Sequence, residues 1–440
     1  MKENSKYNKK FSIGYPSFSK NPKIFYETLK NSSQQYRDEI FDVYFSDPYK
    51  YEFNGNQYAY GDVMGAGLDQ ENIDYLLKIQ NELKIPISIT FNETYPNREL
   101  TDDEAVLKGF IKHVQKYYDM GVRSCTISHV HLMALGILQY KFPEMLWKNT
   151  VNHIITKPQQ VVDYHLLGYD VINLDRSLNR DMEMLREIAK VKKKYPNIIL
   201  SLLVSEACMP DCPFKVEHDT MNKNVGWDYW NHHGNISCKI WRHQEFNDLP
   251  RIGTEMVWAD KATFDEYNDL VDYFKFSGRM SNLPDPTSGK PQKYTWSNIA
   301  HIRGQAFNAA YFSFDDIVND GNIKYAFFDS FTELMNNAND NTVISNFKHY
   351  RYVDSSVPQI FDDMQEIDSM TVWGSKKGKA LNKVLKTCKN ECWDCHACEK
   401  TFGAPSFDSL IEVNRDASLL RGHAVFFQGK GDPIRGEKFA

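Results

Sequence analysis

The 440-residue chain lacks the features that would direct it into or across a membrane. No apolar run approaches the roughly 20 residues that a membrane-spanning helix needs. Residues 1–10 are polar and basic with no apolar stretch behind them, unlike a secretory signal. We therefore expect a cytoplasmic protein, in which the eight cysteines are available as thiols rather than as disulfides.

Excess charge of one sign is also absent, since 52 Lys and Arg face 58 Asp and Glu for a formal net charge of −6. This balance gives no overall attraction to nucleic acid or anionic lipid, although it is compatible with a local basic patch. The sequence has no nucleophile elbow, no zincin helix with paired histidines, no phosphate-binding loop and no complete dinucleotide glycine pattern. Ordinary hydrolase and kinase chemistries therefore lack support.

Short β-type runs alternate with amphipathic segments along the first two thirds of the chain. Because about eight such strand–helix units favour a closed parallel sheet, we predict a TIM-like (β/α) barrel, with an open doubly wound sheet as the alternative. Residues 281–293 are rich in Pro, Gly and Ser and indicate a linker, so we expect a barrel over 1–285 and a partly helical, cysteine-containing region over 286–440. The predicted strands are 11–16, 40–46, 85–92, 123–128, 150–156, 170–175, 198–205 and 273–278, and the clearest helices are 104–120 and 179–195.

The first cysteine group directly follows a predicted strand. Cys208 and Cys212 come after the run NIILSLLVS, with Glu206 and His218 nearby, and Cys238 follows later. Residues after a barrel strand's carboxyl end face the active site, and thiolates select zinc or iron–sulfur clusters. The pattern favours metal ligation, and the alternative is a pair of buried, inert cysteines.

The second group is a dense cluster near the C-terminus. Four cysteines fall within the eleven residues CKNECWDCHAC, at positions Cys388, Cys392, Cys395 and Cys398. This spacing is typical of a four-thiolate zinc site or a cubane iron–sulfur cluster, and the alternative is chance clustering.

Charged side chains end two further predicted strands. Asp175 and Arg176 close the run YDVINLD and could bind an anionic substrate, while Asp175 or Ser177 could equally cap the following helical turn. The run YFKFSGR presents Lys275 in or near the barrel and Arg279 beyond its end. A buried lysine there would require a nearby carboxylate or cluster as partner.

Weaker candidates occupy other strand ends, and for the histidines a structural role is more common than catalysis. These candidates are Asn92, Glu93, His129, His131 and Glu255. Cys125, alone within a strand, is expected in the core. The aromatic run at 227–233 could stack on a ring or base, although a cover over the barrel mouth is the commoner role for such a stretch.

The order of VINLDRSLNRDMEMLREIAK, LLVSEACMPDCPFKVEH, Cys238 and YFKFSGR resembles the peptidase U-32 family, the collagenase-like proteins. The resemblance covers residues 11–280. It implies an iron–sulfur protein of a family in which several members support oxygen-independent hydroxylation of transfer RNA, ribosomal RNA or a quinone precursor, with prephenate as the implied hydroxyl donor.

Carried over position by position, the resemblance makes Cys208, Cys212 and Cys238 ligands of a [4Fe–4S] cluster. Many family members show a longer cysteine array around this loop, so the fourth ligand stays open: it could be Cys388, a non-cysteine group or an open iron position. The cysteine group from Cys388 to Cys398 would then hold a second cluster or zinc.

The function expected on this basis is oxygen-independent hydroxylation or a related modification of RNA or a small aromatic substrate. Arginines would hold an anionic small molecule, for which the resemblance implies prephenate, and the cluster would handle oxygen or electrons. Two alternatives remain open. One is a peptidase, as the family name suggests, and the other is a non-catalytic iron–sulfur or zinc scaffold or electron carrier for a protein partner.

Overall fold

A closed eight-stranded parallel barrel forms the centre of the molecule. The computed structural model describes residues 10–15, 22–61, 67–94, 97–203, 215–220, 265–276, 343–345, 348–350, 364–366, 371–372, 376–389, 391–395 and 397. Its strands are β1 (Lys10–Gly14), β2 (Ile40–Phe45), β3 (Tyr49–Phe53), β4 (Asn56–Tyr60), β5 (Ile87–Phe91), β6 (Ser124–Ile127), β7 (Leu146–Lys148), β8 (Val171–Leu174), β9 (Ile199–Leu203) and β10 (Tyr273–Lys275). The barrel order is β1-β10-β9-β8-β7-β6-β5-β2, and β2 pairs with β1 to close it.

The described helices surround this barrel. They are α1 (Pro22–Asn31), α2 (Gln34–Asp38), α3 (Gln70–Leu83), α4 (Glu99–Asp102), α5 (Glu104–Asp119), α6 (Val130–Ala134), α7 (Ile137–Lys141), α8 (Pro158–Leu166), α9 (Met182–Ala189) and α10 (Lys215–Thr220). Three of them begin at an aspartate whose carboxylate accepts a backbone N–H of the first turn, namely Asp69, Asp103 and Asp181. Such caps satisfy donors that have no partner within the helix.

The predicted barrel is confirmed, and one of its predicted strands is wrong. Residues 150–156 were expected to be a strand because they are rich in β-branched residues, but the strand at this place is β7. Thr150 instead caps a 3₁₀ turn, Val151–His153, by accepting the N–H of Asn152 at 3.2 Å. Local side-chain capping therefore overrides the β-propensity of this segment. The helix predicted over 179–195 is also divided, into a 3₁₀ turn Arg176–Arg180, α9 and a second 3₁₀ turn Lys190–Lys193.

A β-hairpin, β3 and β4, is inserted after β2 and was not predicted from the sequence. Its turn is Asn54-Gly55, both with positive φ (50° and 76°), which is the preferred pattern for a two-residue hairpin turn. Tyr49 anchors the hairpin to α5 by donating its hydroxyl to the Val106 carbonyl at 3.1 Å. The alternation of residue types around the Asn-Gly pair in YKYEFNGNQYAY is a sequence pattern that predicts a hairpin.

Gly109 sets how closely this hairpin approaches α5. A β-carbon at Gly109 would lie 2.0 Å from the Tyr49 hydroxyl oxygen. We therefore expect Gly109→Ala to destabilise the protein by about 1–3 kcal/mol through overpacking, although alanine is intrinsically the better helix former. Urea unfolding of Gly109→Ala in the wild-type and Tyr49→Phe backgrounds checks the cause. The penalty should shrink once the hydroxyl is gone, and an equal penalty in both backgrounds would contradict this contact as its origin.

The polar lumen distinguishes this barrel from one filled with branched apolar residues. Asp42 on β2 and Lys148 on β7 form an ion pair between non-neighbouring strands, and their side chains are only 1% and 4% exposed. Ser12 donates to the same aspartate at 2.5 Å. Each barrel strand contributes at least one buried polar residue, and the set includes Ser12, Asp42, Ser88, Ser124, Lys148, Asn173, Ser201 and Tyr273.

The C-terminal region is described in separate segments. Two antiparallel pairs join β11 (Val343–Ser345) with β14 (Thr371–Val372) and β12 (Lys348–Tyr350) with β13 (Met364–Glu366). Helices α11 (Lys376–Leu385) and α12 (Cys392–Cys395) follow. The predicted linker at 281–293, and with it the expected boundary between 285 and 286, lies outside the described residues.

Helix α11 is attached to the barrel at its C-terminal end. Leu385 is 2% exposed within the same hydrophobic core as the barrel residues. Lys386 forms an ion pair with Glu266, which precedes β10, at 2.6 Å. The start of the second cysteine group is therefore held against the barrel wall.

Candidate active site at the carboxyl end of the barrel

Asp175 lies at the carboxyl end of β8 and is almost fully buried. Its Oδ1 accepts the Ser177 N–H at 2.9 Å, so the expected capping role is confirmed. Its Oδ2 lies 3.6 Å from the Lys215 Nζ. A buried carboxylate beside a lysine is a charged pair that the surrounding structure must hold in place.

Lys215 begins α10, which follows Cys208 and Cys212 in the sequence, and also pairs with Asp219 at 2.5 Å. Thr94, after β5, donates its hydroxyl to the Asp219 carbonyl. Strands β5 and β8 are three places apart in the ring of eight. Helix α10 therefore bridges two distant sides of the barrel mouth.

The 3₁₀ turn after β8 carries Arg176, a basic residue expected at the site. Arg176 is buried, and its Nη2 donates to the Asn152 side-chain oxygen at 3.0 Å. Asn179 donates to the carbonyl of Leu203, the last residue of β9, at 2.7 Å. These contacts connect the loops after β7 and β8 to β9, so Arg176 also has a structural role at the barrel mouth.

Arg180, at the end of the same turn, reaches the second cysteine group. Its Nη2 lies 3.9 Å from the Cys388 sulfur, within hydrogen-bonding distance for sulfur. Cys388 is partly buried, whereas Cys395 in α12 is exposed. The first residue of the C-terminal cysteine group is therefore adjacent to the carboxyl end of β8, a proximity that the sequence left open.

Lys275, the last residue of β10, is partly buried at the barrel mouth. Its ammonium lies 4.4 Å from the centre of the Tyr44 ring, and the Tyr44 hydroxyl donates to the Phe276 carbonyl at 2.5 Å. The Tyr44 ring is therefore a cation–π partner of the Lys275 ammonium. The sequence alone did not identify this partner. The deeply buried lysine with a carboxylate partner is Lys148, further down the lumen.

The weaker histidine candidates separate into different roles. His129 caps α6 through Nδ1, which accepts the Leu132 N–H at 3.1 Å, and its Nε2 contacts the Asn97 carbonyl at 3.1 Å. Both nitrogens are thus used, and burial lowers its pKa. His131 is exposed on the same helix. The acidic candidate Glu93 is fully buried, and its backbone carbonyl accepts the Ser128 hydroxyl.

His153 lies at this end of the barrel and was missed by the sequence analysis. Its Nε2 meets the Ser128 carbonyl at 2.7 Å, which joins the loops after β6 and β7. Its ring packs near Tyr164 and Tyr169, and burial lowers its pKa to about 4. The misassigned strand 150–156 hid this residue, because a strand would not have placed it in a loop at the mouth.

Several expected site residues lie outside the described residues. They are Glu206, Cys208, Cys212, Cys238, Glu255, Arg279 and Cys398, together with the aromatic run 227–233. The backbone of Cys392 is described as part of α12, and Cys125 is fully buried as expected. Within the described part of the chain, no three His, Cys, Asp or Glu side chains form a metal-binding group. No helix of that part is long and apolar enough to cross a membrane.

Fold and site together define a (β/α)₈ barrel protein with a charged, largely buried site at the carboxyl ends of its strands, where active sites of this fold are found. No family model and no curated protein matches the chain. A solved structure, that of the U32 peptidase Mk0906, is similar with a TM-score of 0.38 and 12% identity, over 62% of this chain and 94% of that chain. We draw no functional conclusion from a similarity of this size.

Proposed function

We propose that the protein is an iron–sulfur enzyme of the kind that the U-32 resemblance implies, active in oxygen-independent hydroxylation or a related modification of RNA or a small aromatic substrate. The observation that carries the proposal is the contact between Arg180 and Cys388. Through this contact Cys388, the first residue of the second cysteine group, lies beside the turn that follows β8. The chain between Leu203 and Lys215 contains Cys208 and Cys212, and both of these flanking residues lie at the carboxyl end of the barrel.

Cys388 fits the requirements of a cluster ligand. It is partly buried, and a guanidinium N–H faces its sulfur at 3.9 Å. Hydrogen bonds to the sulfurs are one of the means by which proteins set the potential of such clusters. In this proposal Cys208, Cys212 and Cys238 hold a [4Fe–4S] cluster at the mouth, and Cys388 is available to complete it. A cluster so held would supply redox or oxygen-handling chemistry.

The chain's own residues would position the substrate. Lys275 lies at the mouth, and Asp175 pairs with Lys215, which follows the first cysteine group in the sequence. Arg176 stabilises the loops beside them. Together with Arg279 and Glu206, these groups would orient an anionic donor such as prephenate and move protons near it.

Metal and acid-labile sulfide analysis of anaerobically purified protein, with an absorption spectrum, tests the proposal. We expect iron with sulfide, reduced in part by Cys208→Ala and in part by Cys392→Ala, because the two cysteine groups would hold separate clusters. Cys208→Ala/Cys388→Ala would lose no more iron than Cys208→Ala alone if Cys388 belongs to the barrel cluster, and would lose more if Cys388 belongs to the second one. Cys125→Ala, which removes a core thiol, is the matched control and should keep the full iron content.

Iron and sulfide would justify an assay of prephenate-dependent hydroxylation of RNA and of small aromatic acids. Zinc without sulfide would contradict the redox assignment. The peptidase and scaffold alternatives would then be tested next, by hydrolysis of gelatin and by capture of a protein partner.

A further inference from the structure

Helix α11 carries a one-sided row of lysines beside the candidate site. Segment 376–389 contains six lysines and no acidic residue. Positions spaced by three or four residues share one face of a helix. Three exposed lysines of α11 have this spacing, namely Lys376, Lys379 and Lys383, and the exposed Lys386 follows directly after the helix. Leu385, on the opposite face, is buried against the barrel core.

Most of this charge is not used within the described structure. Lys386 pairs with Glu266 at 2.6 Å, whereas no ion pair is found for Lys376, Lys379 or Lys383 among the residues that the structure describes. Val384, 40% exposed, lies next to this row and adds a small apolar contact. A small apolar contact within a charged surface is compatible with a specific interface of limited size.

The row ends at the proposed redox site. Cys388 follows Lys386 by two residues and lies beside Arg180, and Cys395 is exposed in the next helix. An anionic molecule bound along the lysines would therefore be adjacent to the cysteine group. The chain as a whole is acidic, with a net charge of −6, so this basic surface is a local feature. It would steer an anionic partner towards this part of the molecule.

We infer that the lysine row of α11, here called the α11 surface, is the docking site of a small acidic electron-transfer protein that delivers electrons to the cysteine-bound cluster. Electron delivery to a cluster rests on the proposed function, whereas binding of an acidic protein to these lysines does not. A protein is favoured over RNA because segment 376–389 contains neither arginine nor an aromatic residue, the side chains that stack on bases. Redox complexes of this kind use small, mainly electrostatic interfaces.

Fluorescence anisotropy with the full-length protein tests this surface. One probe is a labelled acidic [2Fe–2S] ferredoxin, and the other is a labelled single-stranded RNA of about 20 nucleotides. The test variant is Lys376→Glu/Lys379→Glu/Lys383→Glu. The matched control reverses three exposed lysines elsewhere on the barrel, Lys112, Lys141 and Lys193, and so changes the net charge equally.

We expect the test variant to weaken ferredoxin binding by about tenfold or more, and the control by less than about twofold, with binding that weakens as salt screens the charges. RNA binding at this surface without ferredoxin binding would overturn the inference, and so would equal effects of the two triple variants. If ferredoxin binds as expected but the protein holds no iron and sulfide, docking stands and the proposed cluster falls. Iron with sulfide but no ferredoxin binding would reject docking alone.

Discussion

Replacing Asp42 by alanine will lower the free energy of unfolding by about 3–5 kcal/mol, because it leaves the Lys148 ammonium in the lumen without its counter-ion. Both side chains are nearly inaccessible to water, at 1% and 4% exposure. The Phe41 ring, 5.2 Å from the ammonium, is a weaker partner than a carboxylate. Urea unfolding followed by circular dichroism measures the loss.

A variant that lacks both charges separates the effect of an unpaired lysine from that of the barrel around it. Because both charges are removed together, Asp42→Leu/Lys148→Met should recover much of the stability that Asp42→Ala loses. Glu144→Ala, which breaks the exposed pair with Arg123 at 3.0 Å, is the control and should cost less than about 1 kcal/mol. A loss in Asp42→Ala no larger than in this control would show that water or another group compensates Lys148.

The same ion pair shows what a sequence can and cannot predict. The alternation of apolar runs and amphipathic segments was sufficient for the barrel, because strand and helix periods are local properties. Asp42 interrupts the apolar run IFDVYF and Lys148 ends the short run MLWK, and these charges within or at the end of apolar runs were an available sign of a polar lumen. Their pairing was not available, because 106 residues separate them and their contact depends on the closure of the ring.

The candidate site divides in a similar way. The capping role of Asp175 follows from local chemistry and was predicted, as was the place of Lys275 in or near the barrel. The contacts that define the mouth are between distant segments, as when Lys215 meets Asp175 and Arg180 meets Cys388. Charge and spacing identify which residues can take part, and only the fold determines which of them meet.

The pH dependence of stability should depend strongly on His153, which the sequence did not single out. Burial lowers its pKa to about 4, whereas an unfolded chain restores a value near 6.5. Between these two values the unfolded state binds more protons, so the free energy of unfolding falls as the pH falls. We expect this residue to remove about 2–3 kcal/mol of stability between pH 7 and pH 4.

His153→Gln isolates this contribution, because glutamine keeps an N–H donor for the Ser128 carbonyl and does not titrate. The difference between wild type and variant should therefore change with pH, with the variant gaining relative stability as the solution is acidified through pH 6. His131→Gln, at an exposed position on α6, is the control and should track the wild type. If wild type and His153→Gln lose stability in parallel from pH 7 to 4, protonation of the buried imidazole is not the cause of the pH dependence of the free energy of unfolding.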